Sequence, residues 1–185
     1  MTLSRRKLTL GLAALPLLAD CEMPQVQPSG PATIDARVDV TLSELYREYP
    51  GTRELAEKSV GMLVMPVITE AGFGFGGAYG RGALRVGGRT VDYYSLAKAS
   101  GGLQIGAQQY AHVLFFMTQK ALADFRGSAG FAVGANAQIV LPEAGETLAA
   151  ETTSALAPVV VVIFGQSGIK AGATIEGLKY SPLRF

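Results

Sequence analysis

A glycine-rich stretch, residues 72–82, carries the pattern most typical of nucleotide chemistry. Its letters are GFGFGGAYGRG, and Gly72, Gly74 and Gly77 fit G-x-G-x-x-G. In dinucleotide-binding proteins this pattern follows a strand and opens a helix, whose N-terminal amides hold the phosphates. Here the residues after Gly77 carry four more glycines among apolar and aromatic side chains that favour strands. The stretch is therefore predicted to be a strand that leads into a hairpin, and no cofactor is expected.

Few other residues carry the chemistry of catalysis. His112 is the only histidine, and it lies in an apolar run, so a packed position is favoured over a catalytic base, which needs a partner. Ser167 lies in GQSG, which is not the nucleophile pattern G-x-S-x-G. One histidine cannot supply a multi-histidine metal site. The sequence indicates a protein that is not an enzyme and that holds no metal.

Basic side chains offer a different chemistry, the binding of phosphate. Residues 58–126 hold seven basic groups against three acidic ones, a net charge of +4, and residues 22–57 hold three against seven, a net charge of −4. This asymmetry indicates either scattered solvated charge or a basic face that meets anionic phosphates. Nucleic acid is not expected, because the sequence has no helix-turn-helix or zinc-finger pattern.

The arginines of the basic segment are the best candidates for phosphate, since a guanidinium presents paired donors. Each basic group near an anionic surface contributes about 1 kcal/mol. Arg85 and Arg89 lie on either side of a predicted turn and are expected to approach across strands. The candidate residues for binding a phosphate-bearing surface are Arg81, Arg85, Arg89, Lys98, Lys170 and Lys179.

The elements that position these side chains are mainly strands. Gly87 and Gly88 predict a two-residue hairpin turn, because both can adopt positive φ. Thr41 and Glu44 form a capping-box pattern that predicts the start of a helix, and Thr52 and Thr118 are predicted to cap two shorter helices. Strands are predicted at 61–68, 72–86, 89–100 and 103–116, and further strands near 130–141 and 157–165. A turn is predicted at 100–102. The strand at 103–116 is expected to have one face only half covered. The expected fold is α+β and β-rich: a curved antiparallel sheet or barrel of about seven strands, with short helices and an N-terminal helical segment.

The first residues indicate export. Arg5, Arg6 and Lys7 precede an apolar run, residues 8–19, which is too short to span a bilayer and predicts a signal peptide at 1–20. SRRKL also resembles a twin-arginine signal, so general secretory and twin-arginine export both stay open. Cys21, the only cysteine, follows as in a bacterial lipobox, with Asp20 as a departure. Cys21 is either acylated or left as a free thiol by ordinary cleavage nearby. Residues 21–39 are predicted to be an extended tether, and the protein is expected in the bacterial cell envelope, periplasmic and membrane-anchored.

Four sequence blocks together carry a resemblance to a known family. They are residues 70–84 (EAGFGFGGAYGRGAL), 92–108, 113–125 and 158–181. Residues 40–185 resemble a SYLF domain, the family of yeast actin-patch regulators and small bacterial lipoproteins. The resemblance implies non-enzymatic binding of anionic lipid or a membrane surface, as family members bind phosphatidylinositol lipids. It carries no catalytic residues. The alternatives are an envelope scaffold that binds a protein partner and a carrier of a small amphiphile.

Overall fold

Six strands and three helices make up the described part of the chain. A computed structural model describes residues 30–128, 131–132, 137–140, 157–168 and 177–185, with the backbone alone at 74, 100–105 and 131–132. The elements are α1 (Pro31–Glu48), α2 (Thr52–Lys58), β1 (Gly61–Val86), β2 (Arg89–Phe116), α3 (Gln119–Gly127), β3 (Phe131–Ala132), β4 (Ala137–Val140), β5 (Val159–Gly168) and β6 (Lys179–Leu183). The predicted α+β, β-rich class is confirmed.

One sheet contains all six described strands. Its order is β3-β6-β2-β5-β4, and β1 pairs with β2 in addition. All pairs are antiparallel except β4 with β5, so the sheet is mixed and not wholly antiparallel as predicted. The long connection over 141–158 permits this, because parallel neighbours need a crossover of about a dozen residues or more. β3 and β4 end the strand order without pairing with each other, so the described strands form an open sheet.

The hairpin of β1 and β2 dominates the sheet. Gly87 and Gly88 have φ of 58° and 76°, which confirms the predicted turn. Pairing runs from Val86 with Arg89 to Gly61 with Phe116. The turn predicted at 100–102 is wrong, because β2 continues through these residues. A register shift between Phe73 and Phe75 instead accommodates the extra residues of β2 within the paired hairpin.

The β1–β2 hairpin doubles back on itself. A Cβ atom on Gly82 would collide with the carbonyl oxygen of Val64, and one on Gly80 would lie 2.9 Å from a side-chain carbon of Ile68. Residues 61–68 of β1 therefore lie against residues 80–86 of the same strand. We call the intervening segment, residues 71–77, the hairpin bend. Glycine is required at this close approach because a side chain would occupy the position of the neighbouring backbone.

Both faces of the sheet carry a core. One face, which we call the inner face, is covered by α3. There Leu63 and Leu84 pack with Leu96, Phe116 and the α3 residue Phe125. On the other face, α1 and α2 cover a cluster built from β1, β2 and β5. The prediction of a half-covered strand at 103–116 is wrong from Tyr110 onward, because side chains of both faces are buried there, one set in each core.

Helix α1 begins at Pro31, not at Thr41 as the capping-box pattern predicted. The predicted extended conformation is therefore wrong for residues 31–39. Ile34, Val38, Leu42 and Leu45 recur at helical spacing and are buried against the sheet, and proline is well tolerated in the first turn of a helix. Burial of this apolar side stabilises the helix upstream of the capping-box residues.

The two shorter helices differ in their caps. Thr118 caps α3 as predicted, since its side-chain oxygen accepts from the Ala121 amide at 3.1 Å. Thr52 does not cap α2. It is the first helical residue after Gly51, and its buried hydroxyl donates to the Tyr49 carbonyl at 2.7 Å. None of the helices described here has the length and apolar character needed to cross a bilayer.

Candidate functional site

Large aromatic side chains lie exposed along one face of β1. Phe73 is 82% exposed, Phe75 is 86% exposed and Tyr79 is 49% exposed. These odd-numbered positions point to one face because side chains alternate along a strand. We call Phe73, Phe75 and Tyr79 the aromatic stripe. The residues between them are glycine or alanine, so the opposite face of the bend is nearly free of side chains and the aromatic rings have no core position there.

Arg81 continues the aromatic stripe along β1. Its Nε donates to the Tyr79 hydroxyl at 2.6 Å, and its guanidinium carbon lies 5.6 Å from the centre of the Tyr79 ring. An arginine at this distance from an aromatic ring is attracted to the ring electrons. The side chain is exposed. One outward face of the sheet therefore carries two phenyl rings at the hairpin bend, followed by a tyrosine and a cation.

The other predicted lipid-binding residues do not share this face. The Arg85 side chain is only 15% exposed and its Nη2 lies 2.7 Å from Asp39 Oδ1 of α1. The Lys98 side chain is 11% exposed, with Nζ 3.8 Å from Glu70 Oε1. Arg89 is exposed beside the hairpin turn, where it pairs with Val86 and not with Arg85. Lys179 is exposed on β6.

Two predicted site residues, Lys170 and Cys21, lie outside the described residues. The structure therefore separates the five that it describes: Arg81 borders the aromatic stripe, Arg85 and Lys98 form ion pairs in half-buried positions, and Arg89 and Lys179 are exposed on other strands. Their role in lipid binding stays a prediction. The ion pairs with Asp39 and Glu70 reduce the charge that Arg85 and Lys98 present to solvent.

A buried polar cluster lies beneath the hairpin bend. Glu70 is 2% exposed, and Gln108 Nε2 donates to its Oε2 at 2.9 Å. Burial, together with the Glu70 carboxylate, raises the pKa of Tyr110 to about 12. Within the described residues, Gln108 Oε1 and Tyr110 Oη have no hydrogen-bond partner. Lys98 supplies the positive charge of this cluster, so its ammonium serves to balance a buried carboxylate.

His112 is fully buried on β2. Its Nε2 lies 3.0 Å from the hydroxyl of Tyr180 on β6. Burial lowers the pKa of His112 to about 3, and burial and Tyr110 raise the pKa of Tyr180 well above its ordinary value. Both groups are neutral near pH 7 and closed to solvent. The pair joins two strands through the core, in agreement with the packed position predicted for His112.

Metal ligands do not gather anywhere in the described ranges, where no three side chains of histidine, cysteine, aspartate or glutamate converge. Among the described residues, the features that face solvent with an unusual chemistry are the aromatic stripe and Arg81. The sequence analysis interpreted only the glycines of residues 72–82 and did not identify Phe73, Phe75 and Tyr79 as candidate binding residues. The signal was present: large aromatic residues alternate with residues too small to form a second apolar face.

One family model matches the chain. It is Ysc84, described as Las17-binding protein actin regulator, and it matches residues 97–183. This segment contains most of β2 together with α3 and β3–β6. The match confirms the SYLF resemblance over these residues, and the aromatic stripe precedes them. None of the curated proteins matches the chain.

Proposed function

We propose that this chain, whose residues 97–183 match the Ysc84 (SYLF) family, binds membrane surfaces that contain anionic lipid. The binding is non-enzymatic. We further propose that the protein is exported to the bacterial cell envelope and anchored through an acylated Cys21. The aromatic stripe with Arg81 is the observation that carries the first part of this proposal.

The aromatic stripe is costly in water. Phe73 and Phe75 are more than four-fifths exposed, and transfer of a phenylalanine side chain out of water contributes about 1.5–3 kcal/mol. Their place at a bend of a long hairpin lets both rings enter the interfacial region of a bilayer together. Aromatic side chains next to cations are typical of surfaces that bind at this boundary.

Arg81 supplies the preference for anionic lipid. Near an anionic bilayer one basic group contributes about 1 kcal/mol. Arg81 is held beside Tyr79 by a hydrogen bond, so the cation stays next to the ring that ends the aromatic stripe. An apolar tip followed by a positive charge matches the order of a membrane surface, with acyl chains inside and phosphates outside.

With an acyl anchor at Cys21, weak contacts between the aromatic stripe and lipid would be sufficient to hold the domain on the membrane. Acyl chains contribute about 0.8 kcal/mol for each buried methylene group, and a tethered domain meets the same membrane at high effective concentration. The intact mass of the protein extracted from membranes tests this part. A mass that begins at Cys21 with added acyl groups supports it, and an unmodified thiol contradicts it.

Membrane insertion is tested with one fluorescent reporter. The chain has no tryptophan, so Phe75→Trp introduces a single indole at the hairpin bend. With non-acylated Cys21→Ser protein, we expect a blue shift of its emission on vesicles of phosphatidylcholine and phosphatidylglycerol, and a weaker one on phosphatidylcholine alone. Phe185 is also exposed, at 64%, and Phe185→Trp is the control. The same shift at both positions, or none at either, contradicts the proposal.

The matched loss-of-binding test replaces the rings. Vesicle sedimentation of Phe73→Ser/Phe75→Ser should show at least a tenfold loss of affinity, since about 1.4 kcal/mol corresponds to a factor of ten. Phe185→Ser should bind like the parent protein. Unchanged sedimentation of the double variant would show that another surface makes the contact.

A protein partner is the second candidate function. The matching family is described as Las17-binding, and the aromatic stripe also suits a protein surface, because aromatic residues are enriched at interfaces. Crosslinking at Phe75 in cells distinguishes the two: recovery of lipid supports the membrane proposal, and recovery of one defined protein supports the scaffold. The carrier alternative has less support, because fully buried side chains such as Leu84 and Phe116 occupy the inner face of the hairpin.

A further inference from the structure

A cavity of about 310 Å³ opens between α1 and β1. Thr33, Ile34 and Arg37 line it from the helix. The strand contributes residues from two places far apart along β1, which are Pro66, Val67 and Thr69, and then Tyr79, Gly80 and Arg81. The cavity therefore exists only because the β1–β2 hairpin doubles back and α1 covers the junction.

Helical and strand spacing explain which side chains face the cavity. Thr33 and Arg37 are one helical turn apart and so share one side of α1. Tyr79 and Arg81 are two residues apart and share one face of β1. The doubling of β1 brings Thr69 beside them. Two arginines and two threonines from three separate parts of the chain thus line the cavity.

The described lining of the cavity is positively charged. Among the described residues that line it, Arg37 and Arg81 carry a charge and none is acidic. Two acids of α1 bind the hairpin: Asp35 accepts from Thr90 and Tyr93 at 2.7 Å each, and Asp39 pairs with Arg85. The two sides of α1 therefore differ, with acids bound to the hairpin end and Arg37 turned to the cavity.

We propose that this cavity binds a phosphate monoester and, at a membrane, the terminal phosphate of a lipid headgroup. Two guanidiniums suit the doubly charged monoester better than the singly charged diester of phosphatidylglycerol, because each presents paired donors to phosphate oxygens. The inference rests on the proposed function, since Tyr79 belongs both to the aromatic stripe and to the cavity wall. Insertion of Phe73 and Phe75 places the cavity opening near the headgroups.

The test compares phosphatidic acid, a monoester lipid, with phosphatidylglycerol in otherwise identical vesicles. Parent protein should bind phosphatidic acid vesicles about tenfold more tightly, as expected for one additional charge-assisted contact. Arg37→Gln and Arg81→Gln should each remove most of this preference. Arg47→Gln is the matched control, because Arg47 is an exposed arginine of the same helix that pairs with Glu48. It should keep the preference.

Competition with soluble glycerol 3-phosphate identifies the source of the phosphate. Displacement of the protein from phosphatidic acid vesicles, at glycerol 3-phosphate concentrations similar to that of the lipid, assigns the cavity to soluble phosphate esters as well as lipid. Absence of displacement assigns it to the lipid headgroup. Equal binding of parent protein to both vesicles overturns the inference, as does equal behaviour of Arg37→Gln and Arg47→Gln. Either result leaves the proposed function intact if binding still requires Phe73 and Phe75, whereas loss of all vesicle binding contradicts the proposed function itself.

Discussion

His112 shows how burial alone can fix the protonation state of a side chain. The groups that face its ring are Tyr110 and Tyr180, both with raised pKa values and neutral. No described carboxylate forms an ion pair with His112, so desolvation lowers its pKa to about 3. Arg85 and Lys98 differ from His112, because each lies in a half-buried position beside a carboxylate.

The lowered pKa of His112 predicts loss of stability on mild acidification. The unfolded chain binds a proton near pH 6.5 and the folded chain does so only near pH 3, so the unfolded state carries more protons between these values. The contribution of neutral His112 to the free energy of unfolding is therefore fully present above about pH 6.5. It is lost as the pH falls below this value, by up to about 1.4 kcal/mol per pH unit. Urea denaturation between about pH 7.5 and pH 5.5 measures this slope.

The control for this prediction is His112→Gln. Glutamine does not titrate, and its amide can still bond the Tyr180 hydroxyl. The free energy of unfolding of the variant should fall less over the same range, because the side chain at position 112 no longer takes up a proton. Parallel curves for the two proteins would show that His112 does not govern this part of the pH dependence.

At the scale of the element, the start of α1 is determined by the packing of its buried side on the sheet. Ile34, Val38 and Leu45 pack on the sheet, and Asp35 and Asp39 bond the end of the hairpin. The contacts involve residues on both sides of Thr41, the residue at which the capping-box pattern predicted the helix to begin. The tertiary contacts outweigh that signal, since most helix stability in proteins comes from packing of one apolar side.

Two valines on α1 test this account with the same substitution. Val38 is fully buried and Val40 is 58% exposed. We expect Val38→Ala to lower the free energy of unfolding by about 2 kcal/mol, because two methyl groups leave the core. Val40→Ala should change it by less than about 0.5 kcal/mol. Equal effects in urea denaturation would mean that residues 31–40 do not pack on the sheet as described.

At the scale of the whole molecule, the doubled β1–β2 hairpin creates the aromatic stripe and one wall of the cavity. It stacks residues 61–68 on residues 80–86, exposes Phe73 and Phe75 at the bend, and brings Thr69 beside Arg81. Gly80 and Gly82 make this stacking possible. The aromatic stripe and the cavity are therefore consequences of one close backbone approach.

Gly82→Ala should disrupt this arrangement. Its Cβ would meet the carbonyl group of Val64, which cannot rotate away as a side chain can. We expect a loss of about 3 kcal/mol or more in the free energy of unfolding, at the upper end of overpacking costs. Gly127→Ala, at the end of α3 with no atom within 4 Å of the new Cβ, should be neutral or stabilising by less than about 1 kcal/mol. Equal thermal stability of the two variants would contradict the stacking.

Sequence reasoning succeeded where a structure depends on neighbouring residues. The Gly87-Gly88 turn, the Thr118 cap and the apolar strand β5 each follow from a few adjacent side chains and are observed. It failed where distant residues decide the outcome. The continuation of β2 through residues 100–102 depends on its pairing with β1, and the start of α1 depends on contacts with the sheet.

The sequence by itself determined the β-rich class, the hairpin turn and the SYLF resemblance, because alternation, turn glycines and motif blocks are local properties of the chain. Only the tertiary structure decided which cations face solvent. Arg85 and Lys98 meet Asp39 and Glu70 across the fold, whereas Arg81 is exposed beside Tyr79. Charge pairing and exposure depend on distances between residues that are far apart in the chain, and those distances are set by the doubled hairpin.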